Sequence, residues 1–308
     1  MSTNRASKIC FGTEALGGAD WGDVNLSEIE TAIHSAIDRG VTSFDTAAIY
    51  GLSLCETRLS ALLGSKIDDI EIATKGGLSW HNEGGERAKV WRDSSKYTIL
   101  KSIDESCERL GRSYLDIYYI HWPDDATPFS ETFEALQSAK EDGKIRHIGL
   151  SNFTQKQIIQ AAEYADISYV QAPMNILSSM RNKELRQFCV RHNIQFVAYN
   201  ILASGLLTGK YEPNHQFPKT DRRHRLAQFQ AEEMQNALNE IADIQKAVDW
   251  QDQTILSLAI SWALAQADVK NIILGIKSLD QLEQNLKIEN MYNSLDDKMV
   301  NLFQETLS

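Results

Sequence analysis

Short apolar runs alternate with longer amphipathic segments along most of this chain. The runs Ile9–Gly12, Ser43–Asp45, Ile70–Thr74, Leu115–Ile120, Ile145–Gly149, Tyr169–Gln171, Gln195–Tyr199 and Asn271–Leu274 read as strands. Many are apolar on both faces, as strands covered by helices are, because neither face meets water. Between them lie segments with a helical apolar period. One opens at Ser27, where Glu30 completes a capping-box spacing, and runs to Arg39 before Gly40 ends it. Similar patterns occupy Lys96–Leu110, Ser130–Glu141, Thr154–Tyr164, Asn182–His192 and Leu279–Glu289, and Thr254 opens one more that passes Trp262 to Gln266.

Eight strands interleaved with helices read as successive βα units, which close into a barrel or open into a doubly wound sheet. An open sheet that binds a dinucleotide carries a glycine-rich turn after its first strand, and here Gly17-Gly18 has no third glycine in the right place. The predicted fold is therefore an α/β chain forming one (β/α)8 TIM barrel, with residues 1–308 as a single domain. Two long loops are expected, Gly76–Ser95 after the third strand and Lys210–Glu232 after the seventh. Loops after barrel strands rim the mouth, so both are candidate binding loops, the alternative being tolerated surface insertions. No internal repeat, low-complexity tract or domain linker stands out.

Composition narrows the function classes. A chain of 308 residues, 43% hydrophobic and 24% charged, suits a folded barrel with a large core. The net charge of −11 argues against nucleic acid or an anionic membrane as partner, since both need a cationic surface, while leaving room for a local cationic pocket around a phosphate-bearing cofactor. Cys10, Cys55, Cys107 and Cys189 show no CxxC spacing and read as reduced thiols. The first residues lack the apolar core of a secretion signal, and no apolar run reaches the roughly 18 residues of a membrane span, so a cytoplasmic protein is expected. Nothing in the sequence specifies an oligomeric state.

The strand ends carry the chemistry. The second strand ends at Asp45, with Tyr50 shortly after; the third leads to Lys75; the fourth leads to His121. Taken singly, each has a structural explanation as a cap, a solvated strand end, a rim aromatic or a hydrogen-bonded histidine. Together, at successive strand ends of a barrel, they face one mouth. Tyrosine is a poor acid near neutral pH, and a neighbouring ammonium favours its phenolate. Asp45 would hold Lys75 charged and in place, Tyr50 would protonate a carbonyl oxygen, and His121 would orient that oxygen. Such a step needs a hydride donor for the carbon, which a reduced nicotinamide supplies.

The segments FDTAAIYG (44–51), ATKGG (73–77), YYIHWPD (118–124), GKIRHIGLSNF (143–153), YVQAPMN (169–175) and GLLTGKY (205–211) resemble the aldo-keto reductase superfamily, in its bacterial-type form. GIKSLDQLEQN, from Gly275 to Asn285, is similar to its adenosine-phosphate segment, so the resemblance spans about Phe11 to Asn285. It implies a catalytic tetrad of Asp45, Tyr50, Lys75 and His121. It further implies that Ser151, Asn152 and Gln171 hold the nicotinamide carboxamide, with Tyr199 stacked on its ring. Leu202, Ser204, Leu206 and Gly209, with Lys210 near, would line the pyrophosphate. Lys277 and Ser278 would contact a 2′-phosphate, making NADP the expected cofactor with NAD the alternative, and Gln281 and Asn285 would reach the adenine. Asn152 as a helix cap, Gln171 as a strand-end bond, Tyr199 as core and Lys277 as a solvated lysine are the structural alternatives. The chain departs from the family pattern at Asn200, Ile201, Ser204 and Gln284, all near the pyrophosphate or adenosine, and not at the tetrad.

Trp21, Trp80 and Trp122, with Trp91, fall in expected rim loops, and aromatic walls suit a small carbonyl compound, its alcohol, or the apolar face of a sugar. The basic run Asp221-Arg222-Arg223-His224-Arg225 reads first as a solvated loop, and otherwise as a site for phosphate or an acidic substrate. Two competing functions are a cofactor-bound sensor or regulatory subunit with little turnover, and a metal-dependent hydrolase using His121, Asp124 and His147. The second lacks the clustered ligand spacing that a metal needs, so no metal is expected.

Overall fold

The computed structural model describes residues 7–18, 20–82, 88–248, 254–295 and 300. Its strands are β1 (Ile9–Gly12), β2 (Ser43–Asp45), β3 (Glu71–Gly76), β4 (Leu78–His81), β5 (Lys89–Arg92), β6 (Leu115–Ile120), β7 (Ile145–Ser151), β8 (Ile167–Pro173), β9 (Gln195–Tyr199) and β10 (Asn271–Gly275). Eight of these close a parallel barrel in the order β1-β10-β9-β8-β7-β6-β3-β2, the (β/α)8 TIM barrel expected from the pattern, while β4 and β5 pair only with each other. Its helices among the described residues are α1 (Leu26–Asp38), α2 (Leu54–Leu63), α3 (Lys96–Leu110), α4 (Phe129–Glu141), α5 (Gln155–Ala161), α6 (Lys183–Arg191), α7 (Ala231–Ala247), α8 (Ile255–Ala265) and α9 (Leu279–Asn293).

Strand side chains alternate between two cores. One face packs against the helices in a large cluster that includes Ile72, Tyr118 and Phe196. The other fills the barrel with Ala73, Ile117, Tyr119, Tyr169 and Val197, against which Ile273 packs. Because side chains repeat every two residues along a strand, the positions two further on emerge from this interior at the mouth. Those positions are Lys75, His121, Gln171, Tyr199 and Gly275.

The structure alters several local expectations. Helix α1 is capped by Asn25, whose side chain accepts from the Ser27 backbone N–H, so Ser27 sits inside the first turn instead of capping it. Helix α2 was not marked by the pattern; Ser53, before it, has a positive φ of 82° and makes no side-chain cap. The Gly76–Ser95 connection is not an irregular loop, because β4 and β5 form an antiparallel hairpin within it. The Lys210–Glu232 connection is tied down by the short turns Arg222–Arg225 and Ala227–Phe229. Helix α8 is buried along its whole length, which is why its sequence is apolar on every side.

Candidate active site

Lys75 occupies the centre of the mouth. Its ammonium, 1% exposed, donates to Asp45 Oδ1 at 2.5 Å and to the Thr46 carbonyl at 2.9 Å. The third direction leads to the Tyr50 hydroxyl at 3.5 Å, and the ammonium lies 5.1 Å from the Tyr50 ring centre. Neighbouring strands set these positions: β2 and β3 pair Asp45 with Ala73, and β3 and β6 pair Gly76 with Ile120, next to His121. The His121 ring meets Tyr50 edge-on, with centres 5.9 Å apart. Its Nδ1 is buried without a protein partner.

Burial, reinforced by the charges of Glu14 and Asp45, holds the Tyr50 hydroxyl well above the ordinary tyrosine range. This runs against the expectation that Lys75 would lower it: burial is the largest cause, and Lys75 is engaged with Asp45. Tyr50 is therefore a fully protonated phenol at neutral pH. His121 is shifted the other way, well below the usual histidine range, by burial and then by the Lys75 charge, and so is a neutral imidazole.

A polar wall flanks this group. Gln171 Nε2 donates to Asp45 Oδ2 at 2.8 Å, and Ser151 Oγ lies 3.4 Å from Gln171 Oε1. Asn152, at a positive φ of 66°, donates to the His121 carbonyl at 2.9 Å and accepts from the Tyr199 hydroxyl at 2.6 Å. It does not cap α5, which Thr154 caps with Gln157. Beyond Tyr199 the backbone turns through positive φ at Asn200, Ala203, Ser204, Gly205 and Gly209. The departure at Asn200 has a local cause, since its Oδ1 accepts from Ser204 N at 2.8 Å and pins this turn. Leu206 is buried here, Leu202 half-buried, and Gly209 and Lys210 exposed. On the other side Gly275 faces open space, and Ser278 caps α9 by accepting from Gln281 N. Gln281 in turn accepts from Lys277 N at 2.9 Å, and Asn285 is buried one turn on.

The strap that follows β9 crosses to the turn after β1. Trp21 forms a β-bridge with Asp221, and Arg222 N donates to the Asp20 carbonyl at 2.9 Å. The Arg222 guanidinium lies 4.2 Å from the Trp21 ring centre and pairs with Glu14 at 2.6 Å. Arg223 pairs with Asp221 and Tyr211 and lies 4.4 Å from the Phe217 ring centre. Lys277 Nζ donates to the Trp21 carbonyl at 3.0 Å. The basic run is thus a structural clasp and not a solvated loop. Trp80 is half-buried on β4, while Trp122 is 39% exposed with Arg92 over its ring.

Residues 8–307 match the Aldo/keto reductase family. This chain belongs to that family. It is 30% identical over 308 residues to aldo-keto reductase YhdN of Bacillus subtilis, covering 98% of this chain and 92% of that protein. It is 30% identical to the NADH-specific methylglyoxal reductase of Escherichia coli, over 97% of this chain and 94% of that protein. A glycerol dehydrogenase structure from Gluconobacter oxydans superposes with a TM-score of 0.85 at 32% identity, covering 98% of this chain and 91% of the other. As an aldo-keto reductase the chain is an oxidoreductase that uses a nicotinamide cofactor to reduce carbonyls to alcohols.

Among the described residues of this aldo-keto reductase no set of His, Cys, Asp or Glu side chains can hold a metal. Asp124 accepts from Ser94 N, Ala126 N and Thr127 Oγ1, and His147 packs on Tyr169. No helix among those residues is long and apolar enough to cross a membrane. The sequence pattern left Glu14 unremarked, and with it the pairing of Glu14 with Arg222 of the basic run. Glu14 is the second residue after β1, an ionisable side chain at a strand end, and the rule that selected Asp45, Lys75 and His121 applied to it equally. Its partner lies 208 residues away, beyond any local signal.

Proposed function

We propose that this aldo-keto reductase reduces small oxygenated aldehydes or ketones with NADPH, Tyr50 supplying the proton. The observation that carries this reading is the Lys75 ammonium fixed between Asp45 Oδ1 at 2.5 Å and the Tyr50 hydroxyl at 3.5 Å. The polar wall of Ser151, Asn152 and Gln171 with Tyr199, the buried unpartnered Nδ1 of His121 and the open face of Gly275 form a site that fits a nicotinamide nucleotide. Its phosphates would meet the positive-φ backbone around Leu202, Ser204, Leu206 and Gly209, with Lys210 near, and the N-terminus of α9, where helix N–H groups favour anions. Lys277 and Ser278 at that terminus support the 2′-phosphate and hence NADP, with Gln281 and Asn285 beside the adenine.

When bound, the nicotinamide supplies hydride to the carbonyl carbon. The Tyr50 O–H bond breaks as the carbonyl oxygen takes the proton. Tyr50 carries its proton at neutral pH, as any phenol of ordinary or higher pKa does, and a developing alkoxide is basic enough to take it. The phenolate left behind faces the Lys75 ammonium, which Asp45 holds in place. Neutral His121 orients the carbonyl oxygen by a hydrogen bond without competing as an acid. Trp21, Trp80 and Trp122 contribute the apolar walls of the substrate pocket. The glycerol and methylglyoxal of the two relatives' names support a three-carbon, oxygen-rich substrate. The free cysteines, three of them buried, support a reducing, cytoplasmic compartment.

The test is NADPH oxidation with a panel of aldehydes and ketones, beside a direct measurement of NADPH binding. Turnover on small carbonyls is expected. Tight NADPH binding without turnover on any member would overturn the reading in favour of a sensor.

A further inference from the structure

Glu14 stands over the reacting end of the barrel. β1 ends at Gly12, which pairs with Asp45, and Thr13 N and Oγ1 both donate to the Asp45 carbonyl, at 3.0 and 2.8 Å. The turn Glu14–Gly17 then rests on the segment that carries Tyr50: a Cβ placed on Gly17 would lie 2.6 Å from Gly51 N and 3.0 Å from the Tyr50 carbonyl carbon. Glu14 Oε1 is bonded to Arg222 at 2.6 Å, and the Trp21 indole lies beside the carboxylate. The Glu14 side chain is 31% exposed. Its charge is felt at both Tyr50 and Lys75.

An acidic side chain beside the reacting groups is costly in a pocket meant for apolar aldehydes, because a carboxylate facing an apolar group loses water without gaining a partner. A hydroxylated substrate returns that partner. We propose that Glu14 determines specificity in this pocket, its partly exposed carboxylate accepting a hydrogen bond from a hydroxyl of a polyhydroxylated carbonyl substrate while Arg222 holds the carboxylate in place. The inference rests on the function proposed above and names the substrate class of the same site.

The experiment compares kcat/KM for glyceraldehyde and for propanal, which share a three-carbon chain and differ in their hydroxyls. It uses the full-length enzyme, its Glu14→Gln variant, which keeps an acceptor oxygen, and its Glu14→Leu variant, which does not. A hydrogen bond to a charged acceptor corresponds to about a tenfold to hundredfold preference. The glyceraldehyde-to-propanal ratio is expected to fall by about that factor in Glu14→Leu and by less in Glu14→Gln; the ratio cancels whatever the loss of the Glu14 charge does at Tyr50, since both aldehydes share that proton donor. Should both variants keep the wild-type ratio while still reducing propanal, Glu14 has no part in specificity and the proposed function stands. Should the wild-type enzyme reduce neither aldehyde nor any other carbonyl, the function itself fails and this inference with it.

Discussion

At the scale of single residues, the Lys75–Asp45 pair does two jobs that mutation can separate. Both side chains are buried, so removing one leaves an uncompensated charge in the barrel. Lys75→Met is expected to lose about 3–5 kcal/mol of stability in denaturant melts and about a hundredfold or more of kcat/KM. Adding Asp45→Asn should restore most of the stability and none of the activity, because the second change removes the stranded charge and not the missing ammonium. His121 gives a pH prediction. Its folded pKa lies well below the ordinary histidine value of about 6.5, so neutral His121 contributes stability above that pH, and the contribution is lost as pH falls through the folded pKa. NMR of the imidazole should show no titration between about pH 6 and about pH 8, whereas a midpoint near the free-histidine value would mean that burial and Lys75 do not govern it.

At the scale of elements, two tight turns meet through glycine. Gly51 has a φ of +58°, and a Cβ there would run into the Gly17 carbonyl oxygen and Cα. Gly51→Ala should therefore displace Tyr50 and lower kcat/KM at least about tenfold, with far-ultraviolet circular dichroism unchanged, since the cost is local backbone strain. An alanine variant with full activity would show that the turn yields freely. The barrel strands were legible in the sequence because each needs a short apolar run, and Ile9–Gly12, Leu115–Ile120 and Gln195–Tyr199 came out with their observed ends. Lys75, His121 and Asp45 were legible because ionisable groups at strand ends are conspicuous. Helix α2 was not, since it buries Glu56 against Thr74 and Arg109, a polar partnership that hides the apolar period. The β4–β5 hairpin escaped for a related reason: Lys89–Arg92 is exposed along its length and carries no inward-facing alternation.

At the scale of the whole molecule, the strap joins the end of β9 to the turn after β1, segments about 200 residues apart, and only folding reveals the match. Arg223 is its hub, bonded to Asp221 and Tyr211 and stacked on Phe217. Arg223→Met should speed chymotrypsin cleavage within 210–230 while moving the thermal midpoint by no more than about 4 °C, because the strap can open without the barrel unfolding. Cleavage at the wild-type rate would mean that the clasp does not restrain it. The barrel brings Asp45, Tyr50, Lys75 and His121 from three βα units into one cluster, and the central claim is that this assembly turns a buried phenol into the proton donor. Single-turnover reduction by the Tyr50→Phe enzyme tests it most directly. NADPH affinity should stay within about threefold of wild type while carbonyl reduction slows by about a hundredfold to ten-thousandfold. Reduction at close to the wild-type rate by that variant would contradict it.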